Sequence, residues 1–534
     1  MLSGGCDVEC QRDGARGASN CVAGLGGPFA GGSNRRTHDW GWGMDRFEVE
    51  ANDVRIVAQA CNAFGLDLYR LLVGESTGGS VFFSPWSIAI VLTMLAEGAR
   101  GETAEEMLRT LRLSASSDAN DRVADSVHAG HAALVERLRS AAGPADDATR
   151  ERIAALRADV EAAKANLASL LGGGNRREYQ AVARRHFQDS QALETLEQGV
   201  DCFELLASNA LWIDRRFSPL ASYLDTMRRC YGDDCAKSVD FVDRAADAVR
   251  EINEWVEAGT KHRIRDFLDA SAITPLTRLI LTNAVYFRGE WEIPFWKEAT
   301  EEADFTLADH SRVRVKLMGD MSARPARYAA FNGDGSLFDT PLDVPSRQRD
   351  SASNYPGDDG FAIAELPYKG GRLAMTILAP RSPDGLPSLE GRLNPESLDA
   401  WLSKLASRQV RVFLPRFELA SQYSLNGALR AMGMRRAFVR PDAEGGADFS
   451  GICVSDDPED KMFVGAVVHK AVLEVTEEGT VAAAASGVAL FAGCGSGPER
   501  VPFAPTFRAD RPFLLLIRDT ASGVILFAGR ITRP

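Results

Sequence analysis

No run of about 18 or more apolar residues occurs in the 534-residue chain, so a membrane-spanning helix is not expected. The start, MLSGGCDVECQRDGARGASNC, lacks the apolar centre of a secretory signal. Three alternatives stay open: the chain remains in the cytoplasm, export uses another route, or translation starts elsewhere, for example at Met44. Basic charge is not in excess: 61 Lys and Arg face 74 Asp and Glu, giving a net charge of −13, which argues against a general nucleic-acid binder while leaving local basic patches open. The nine cysteines are odd in number and follow no framework spacing. Cys6, Cys10 and Cys21 fall in the N-terminal stretch, and Cys230 and Cys235 in CYGDDC read equally as a pair or as two thiols. A chain of this length buries a core without disulfides.

Catalytic signatures are missing too. There is no Walker-type phosphate loop and no Gly-x-Gly-x-x-Gly after a strand. GCGSG at 493–497 is not the Gly-x-Ser-x-Gly nucleophile elbow. The seven histidines, at 38, 128, 131, 186, 262, 310 and 469, show no metalloprotease spacing. His128 and His131 share a helical stretch with Glu136 but have no third ligand. No catalytic residue, metal or cofactor is expected.

What is present is ordinary globular composition, 45% hydrophobic and 25% charged. Residues 1–50 are rich in Gly, Ser and Arg without periodicity and read as a disordered tail. Helical spacing of Ile56, Ala60, Phe64, Leu68 and Leu71 predicts a helix over 53–73. SVFFSPWSIAIVLTMLAEGARG reads as a short strand broken at Pro85, then a helix stopped near Gly98. A further helix is expected over 122–140. In the next segment Ile153, Leu156, Val160, Ala163, Leu167 and Leu170 alternate spacings of three and four, a coiled-coil seam. After GGGN at 172–175, Tyr179, Val182, His186, Leu193 and Leu196 form a returning stripe, so 145–198 reads as a helical hairpin.

From about 203 the pattern turns to strands. FELLASNALWID, TRLILTNAVYFRGEW and VRVFLPRFEL each read as one strand, and ADAVREINEWVEAGTKHRI as a helix. FAIAELPYKGGRLAMTILAP and RPFLLLIRDTASGVILFAGRI read as hairpins. The polar stretch 326–360 reads as a long surface loop. Helices first and then strands favour one α+β domain over 51–534.

The stretch EEGTVAAAASG is ambiguous, because four alanines favour a helix on local grounds. Its neighbours decide. FFSPWSIAIVLTMLAEGARGETAEEM, SNALWID, INEWVEAGTKHRI, LTNAVYFRGEWEIPF, AELPYKGGRLAMTILAP, ADFSGI, VVHKAVLEVTEEGTVAAAA and FRADRPFLLLIRDTASGVILFAGRI resemble, in order, the signatures of the serpin family. The resemblance covers about 53–534, with the hairpin at 145–198 and the 326–360 loop as additions. It implies an α+β fold with three β-sheets, about nine helices and an exposed reactive-centre loop, here within 477–507. It also implies suicide-substrate inhibition of a serine endopeptidase. The protease attacks the loop, and the acylated loop then inserts as a strand in the main sheet, a known example of strand addition. The alternative is a non-inhibitory serpin with a carrier, chaperone or storage role.

Insertion explains the hinge, Glu477, Glu478, Gly479, Thr480, Val481, Ala482, Ala483, Ala484 and Ala485. Thr480, Ala482, Ala484 and Ser486 share one face, with Val481, Ala483, Ala485 and Gly487 on the other. None is charged or larger than Val. A buried charge costs several kcal/mol, more than a ladder hydrogen bond returns. Gly479 can supply backbone freedom at the pivot. By resemblance, Ser84, Ser87, Asn283 and His469 form the shutter, a polar cluster beneath the opening strands. Trp291 matches the breach tryptophan, and Glu477 the acid that starts the hinge. Gly319 stands where the family often places a lysine partner for Glu477, which puts that salt bridge in question.

The family's scissile bond lies roughly fourteen residues past the hinge glycine, which gives Gly493–Cys494. Leu490, Phe491 and Ala492 are neighbouring alternatives that suit chymotrypsin- or elastase-like proteases, and Arg500 would suit a trypsin-like one. A cysteine protease is a lesser alternative. A monomer without nucleic-acid or membrane partners is expected, extracellular by resemblance although no signal peptide is evident.

Overall fold

Period-two burial over Leu279–Gly289 explains the centre of the fold. Leu279, Leu281, Val285 and Phe287 point into the main core, while Ile280, Ala284 and Tyr286 point into a second cluster on the opposite face. Both faces of this strand are therefore covered. The computed structural model describes residues 51–113, 123–142, 147–170, 176–198, 203–320, 322–345, 357–454, 462–479 and 500–534. The predicted tail at 1–50 lies outside them.

The strand belongs to a five-stranded sheet in the order Phe417–Ser424, Val464–Val475, Leu279–Gly289, Phe203–Asp214, Ala236–Val239. Its two central strands, Val464–Val475 and Leu279–Gly289, are parallel neighbours, and the other pairing of each is antiparallel. Below lies the wholly buried helix Pro85–Glu97, capped by Ser84, whose Oγ accepts from the Ser87 N–H. Above lies the helix Ala245–Gly259, which buries Ala248, Ile252 and Val256 against Ala210, Trp212 and Ile280. Trp212 donates through Nε1 to Thr282 Oγ1 at 3.0 Å, so the indole satisfies its polar atom inside the apolar layer.

An eleven-stranded sheet forms the second layer, running from Val81–Phe83 through the C-terminal hairpin Phe513–Asp519 and Ile525–Ile531 to Glu301–Thr306. A two-stranded ladder completes three sheets, and eleven α-helices occur among the described residues. Two of these, Asp147–Leu170 and Arg176–Gln198, pack on each other along the expected seam. The expected α+β class is thus present. The helix Ala51–Glu75 is long and apolar enough to cross a membrane by composition, yet it buries Val57, Phe64, Leu68 and Leu72 in the core.

Three readings change. VRVFLPRFEL is two strands, Ala406–Pro415 and Phe417–Ser424, broken at Arg416 between a proline and a change of sheet. The 326–360 stretch is not all irregular: it contains most of Arg324–Phe331, the pairing strand Leu337–Phe338, and Asp343–Pro345. The helices Gly101–Thr110 and Ala221–Tyr231 were not read, being short and bordered by glycine or polar residues. Cys230 and Cys235 are separate buried thiols, as are Cys61 and Cys453, and burial pushes Cys235 up to about 12.

Ile252→Ala should open a cavity between helix and sheet that costs about 2–4 kcal/mol. Lowered thermal and urea midpoints would be expected, and unchanged midpoints would refute the packing described for Ala245–Gly259.

Candidate functional site

A row of polar side chains crosses the five-stranded sheet at one level. The registers place Tyr423 opposite His469, His469 opposite Asn283, and Asn283 opposite Asn209. All face the helix Pro85–Glu97. The Ser84 N–H donates to His469 Nε2 at 3.1 Å, so Nε2 is the acceptor and the ring is the Nδ1–H tautomer. Nδ1–H then donates to Asn283 Oδ1. Asn283 Nδ2 donates to Ser87 Oγ and to Asn209 Oδ1, both at 2.6 Å, and Ser87 Oγ donates to Asn209 Oδ1 at 3.0 Å. Ser84 Oγ donates to the Leu526 carbonyl at 2.6 Å. Ser84, Ser87, Asn283 and His469 are all fully buried. Burial pushes the His469 pKa down to about 3, which keeps the ring neutral.

The four residues assigned to the shutter therefore meet in one network. Asn209 and Tyr423 join them and were not named from sequence. Asn209 was in view inside SNALWID, but only the register shows that it stands beside Asn283. Tyr423 stacks on the His469 ring, with centroids 6.3 Å apart and planes 6° from parallel, and its hydroxyl accepts from the Phe82 N–H at 3.2 Å. The one side-chain bond of this row that spans the two parallel strands is His469 to Asn283.

At the end of the same two strands, Trp291 stacks on Tyr368 with centroids 4.7 Å apart and donates through Nε1 to the Thr476 carbonyl at 3.0 Å. The Trp291 N–H donates to the Glu478 carbonyl at 3.0 Å, and the Phe295 N–H to the Glu477 carbonyl at 2.6 Å. The chain leaves the strand in a tight turn in which the Thr476 N–H donates to the Gly479 carbonyl at 2.7 Å. Gly479 has φ +133°, and a Cβ there would lie 2.2 Å from the Gly289 carbonyl oxygen. Any other residue would be strained and would collide with backbone.

Glu477 is nearly buried, and Thr300 Oγ1 donates to its Oε1 at 2.9 Å. Its cation is Arg416, 3.9 Å away. A Cβ on Gly319 would lie 2.9 Å from Phe413, so the aromatic ring occupies the place where a lysine side chain would begin. Arg416, at the break between the Ala406–Pro415 and Phe417–Ser424 strands, supplies the charge instead. Glu478 pairs with Lys297.

Thr480, Val481, Ala482, Ala483, Ala484 and Ala485 lie outside the described residues, as do Leu490, Phe491, Ala492, Gly493 and Cys494. Arg500 opens the short strand Arg500–Pro502, paired antiparallel with Asp343–Pro345. His128 turns away from Glu136. Its Nε2 lies 3.2 Å from Glu97 Oε2 and its Nδ1 2.7 Å from the Tyr231 hydroxyl, deep under the sheet. Among the described residues no group of three or more His, Cys, Asp or Glu is arranged to hold a metal ion.

A family model described as Serpin (serine protease inhibitor) matches residues 59–158 and 152–534. The chain is 32% identical over 478 residues to an uncharacterized serpin-like protein of Thermococcus kodakarensis, covering 90% of this chain and 86% of the relative. It is 30% identical over 485 residues to the leukocyte elastase inhibitor of Homo sapiens, covering 90% and 99%. Uncleaved ovalbumin superposes with a TM-score of 0.62 at 22% identity, covering 90% of this chain and 100% of that one. Thyroxine-binding globulin bound to thyroxine superposes with the same score and identity, covering 89% and 99%.

The neutral His469 sets a pH dependence. Its folded pKa, about 3, lies below the ordinary 6.5, so the unfolded chain binds this proton more readily. The stability His469 contributes is complete above about pH 6.5 and is lost as pH falls towards 3, at up to about 1.4 kcal/mol per pH unit. His131, held down to about 3 by burial and then by His128, titrates in the same window. The melting temperature of His469→Gln should therefore fall less steeply between pH 6.5 and 4.5 than that of the native chain; parallel curves would refute the assignment.

Proposed function

This chain belongs to the serpin family, and we propose that it inhibits a serine endopeptidase as a suicide substrate. The observation that carries the reading is the parallel, strand-free pairing of Val464–Val475 with Leu279–Gly289, directly ahead of the Gly479 turn. The loop that follows this turn must reverse direction relative to Val464–Val475. Because Leu279–Gly289 runs parallel to that strand, an inserted loop would be antiparallel to both neighbours. One parallel ladder of nine paired positions would be exchanged for two antiparallel ladders. Each added hydrogen bond nets about 0.5–1.5 kcal/mol, so insertion is downhill once the loop is released at its far end.

Cleavage supplies that release. The protease serine oxygen adds to the scissile carbonyl carbon, and the peptide C–N bond breaks. The new amine departs with the serine proton, and the upstream piece remains as an ester on the protease. Insertion from Gly479 then carries the ester and its protease along the sheet before water can hydrolyse it. Small, uncharged Thr480 to Ala485 suit passage into a sheet with both faces covered. Gly493–Cys494 is the favoured bond, with Leu490, Phe491, Ala492 and Arg500 as alternatives. The relatives named leukocyte elastase inhibitor support a serine protease target, and the apolar residues 490–492 suit an elastase- or chymotrypsin-like one.

An SDS-stable complex whose mass is the sum of the protease and the upstream piece of the chain is expected with a matching serine protease, together with a large rise in melting temperature of the cut chain. Ala484→Arg should keep cleavage and abolish the complex, since an arginine would have to enter the sheet. Cleavage of the native chain without a complex or a stability gain, across elastase-, chymotrypsin- and trypsin-like proteases, would leave the non-inhibitory reading.

A further inference from the structure

The 326–360 stretch and the far end of the reactive loop converge on one strand. Arg408, on Ala406–Pro415, donates to the Thr340 carbonyl at 3.1 Å and to the Pro341 carbonyl. Three residues on, the Arg411 N–H donates to the Pro505 carbonyl at 2.9 Å, and Arg411–Phe413 pairs in parallel with Thr506–Arg508. Between these anchors the two segments pair directly. Arg500 stands opposite Pro345, Val501 opposite Val344 and Pro502 opposite Asp343. The Phe503 N–H donates to the Leu342 carbonyl at 3.0 Å, in the same register.

The sequence fits this ladder. In an antiparallel pair, hydrogen-bonded and non-hydrogen-bonded positions alternate. The Phe503–Leu342 bond makes Val501 and Val344 the next hydrogen-bonded pair. Pro502 and Pro345 then fall at non-bonded positions, where a missing N–H costs nothing.

We propose that residues 342–345 are a brace for the reactive loop: they hold its C-terminal side at 500–503, so that the bond attacked lies before Arg500. The proposal rests on the reading of 477–507 as a reactive loop. A protease binds its substrate extended and pairs with backbone on both sides of the scissile bond. Were the bond Arg500–Val501, the residues beyond it would already be committed to a ladder anchored on Ala406–Pro415. A bond at Gly493–Cys494 leaves the ladder intact. The brace also separates the part of the loop that moves from the part that stays. After cleavage the piece joined to Gly479 is free to insert, while the new amine terminus remains tethered through 500–506. The brace thus excludes trypsin-like recognition at Arg500 and selects proteases that read residues ahead of it.

The native chain, Val344→Pro and Val344→Ala would each be exposed to a trypsin-like protease, and cleavage after Arg500 followed by mass spectrometry, with melting curves to establish folding. Proline removes the N–H that bonds Val501, whereas alanine keeps it. Val344→Pro should be cut at Arg500 about tenfold faster than the native chain, the effect of losing one or two ladder bonds, and Val344→Ala at the native rate. Should Val344→Pro fail to fold, Arg408→Ala, which releases the Thr340 and Pro341 carbonyls, is read in the same way. Equal rates in native and disrupted chains, or a native chain whose covalent complex ends at Arg500, would overturn the brace. The two proposals fail separately. Protected Arg500 without any protease complex sinks the inhibitor reading alone, and a complex ending at Arg500 sinks the brace alone.

Discussion

The hydrogen bond from His469 to Asn283 is the constraint on which the rest depends. It joins the two parallel central strands, those that the proposed inhibition would part, and it does so at a fully buried level. Apolar contacts at this place would be non-directional and would let the strands slide or part gradually. A directional bond between two buried groups breaks or holds. Its loss leaves buried donors and acceptors unmet, at about 1–3 kcal/mol each. Ser84 fixes the His469 tautomer from below, and Ser87 with Asn209 fixes the orientation of Asn283. The helix Pro85–Glu97 thereby helps to hold the sheet closed, although it contributes no strand to it.

The same arrangement shows why closure can be metastable. The central pair is parallel, as is the short edge pairing of Phe203–Asp214 with Ala236–Val239, whereas the pairings that flank the centre, to Phe417–Ser424 and Phe203–Asp214, are antiparallel. Evenly spaced, slanted parallel bonds hold slightly less well per residue. The centre of the sheet therefore combines the weaker ladder geometry with the side-chain bonding of the polar row. Opening is resisted locally, at the row and at Trp291, and not by the ladder as a whole. A strand entering from Gly479 meets Trp291 and Thr476 first and the row later, so the resistance is sequential.

Much of this was legible in the sequence, and for a physical reason. The long apolar strands were readable from their patterns, whereas Asn283 and His469 within LILTNAVYFRG and VGAVVHKAVLEV were assigned by the family resemblance, since Thr282, Lys470 and Glu474 are polar there too. FELLASNALWID matched its strand end to end because its bounds are set by aspartate and by a change of period. The partners of Glu477 were not legible. Thr300 and Arg416 lie far from it in sequence, and only the side-by-side packing of three strands brings them together. A missing lysine at 319 suggested an absent ion pair, whereas the fold moved the cation to another strand and filled the vacant place with Phe413. Likewise the 343–345 pairing could not be read, since a three-residue strand next to proline carries almost no periodic signal.

Both ends of the reactive loop are fixed by backbone bonds, and the two fixings differ in kind. At the near end, Gly479 occupies a conformation open only to glycine and is wedged against the Gly289 carbonyl. That contact lies at the end of the paired strands Leu279–Gly289 and Val464–Val475. At the far end the chain is held by a ladder on a different sheet, through 500–503 and then 506–508. Strand exchange at one end therefore does not loosen the other while the loop is whole. On the proposed inhibitor reading, a break in the covalent chain between the anchors frees the near part to enter the sheet. The stored free energy is, on the same reading, gated by the peptide bond that the protease cuts.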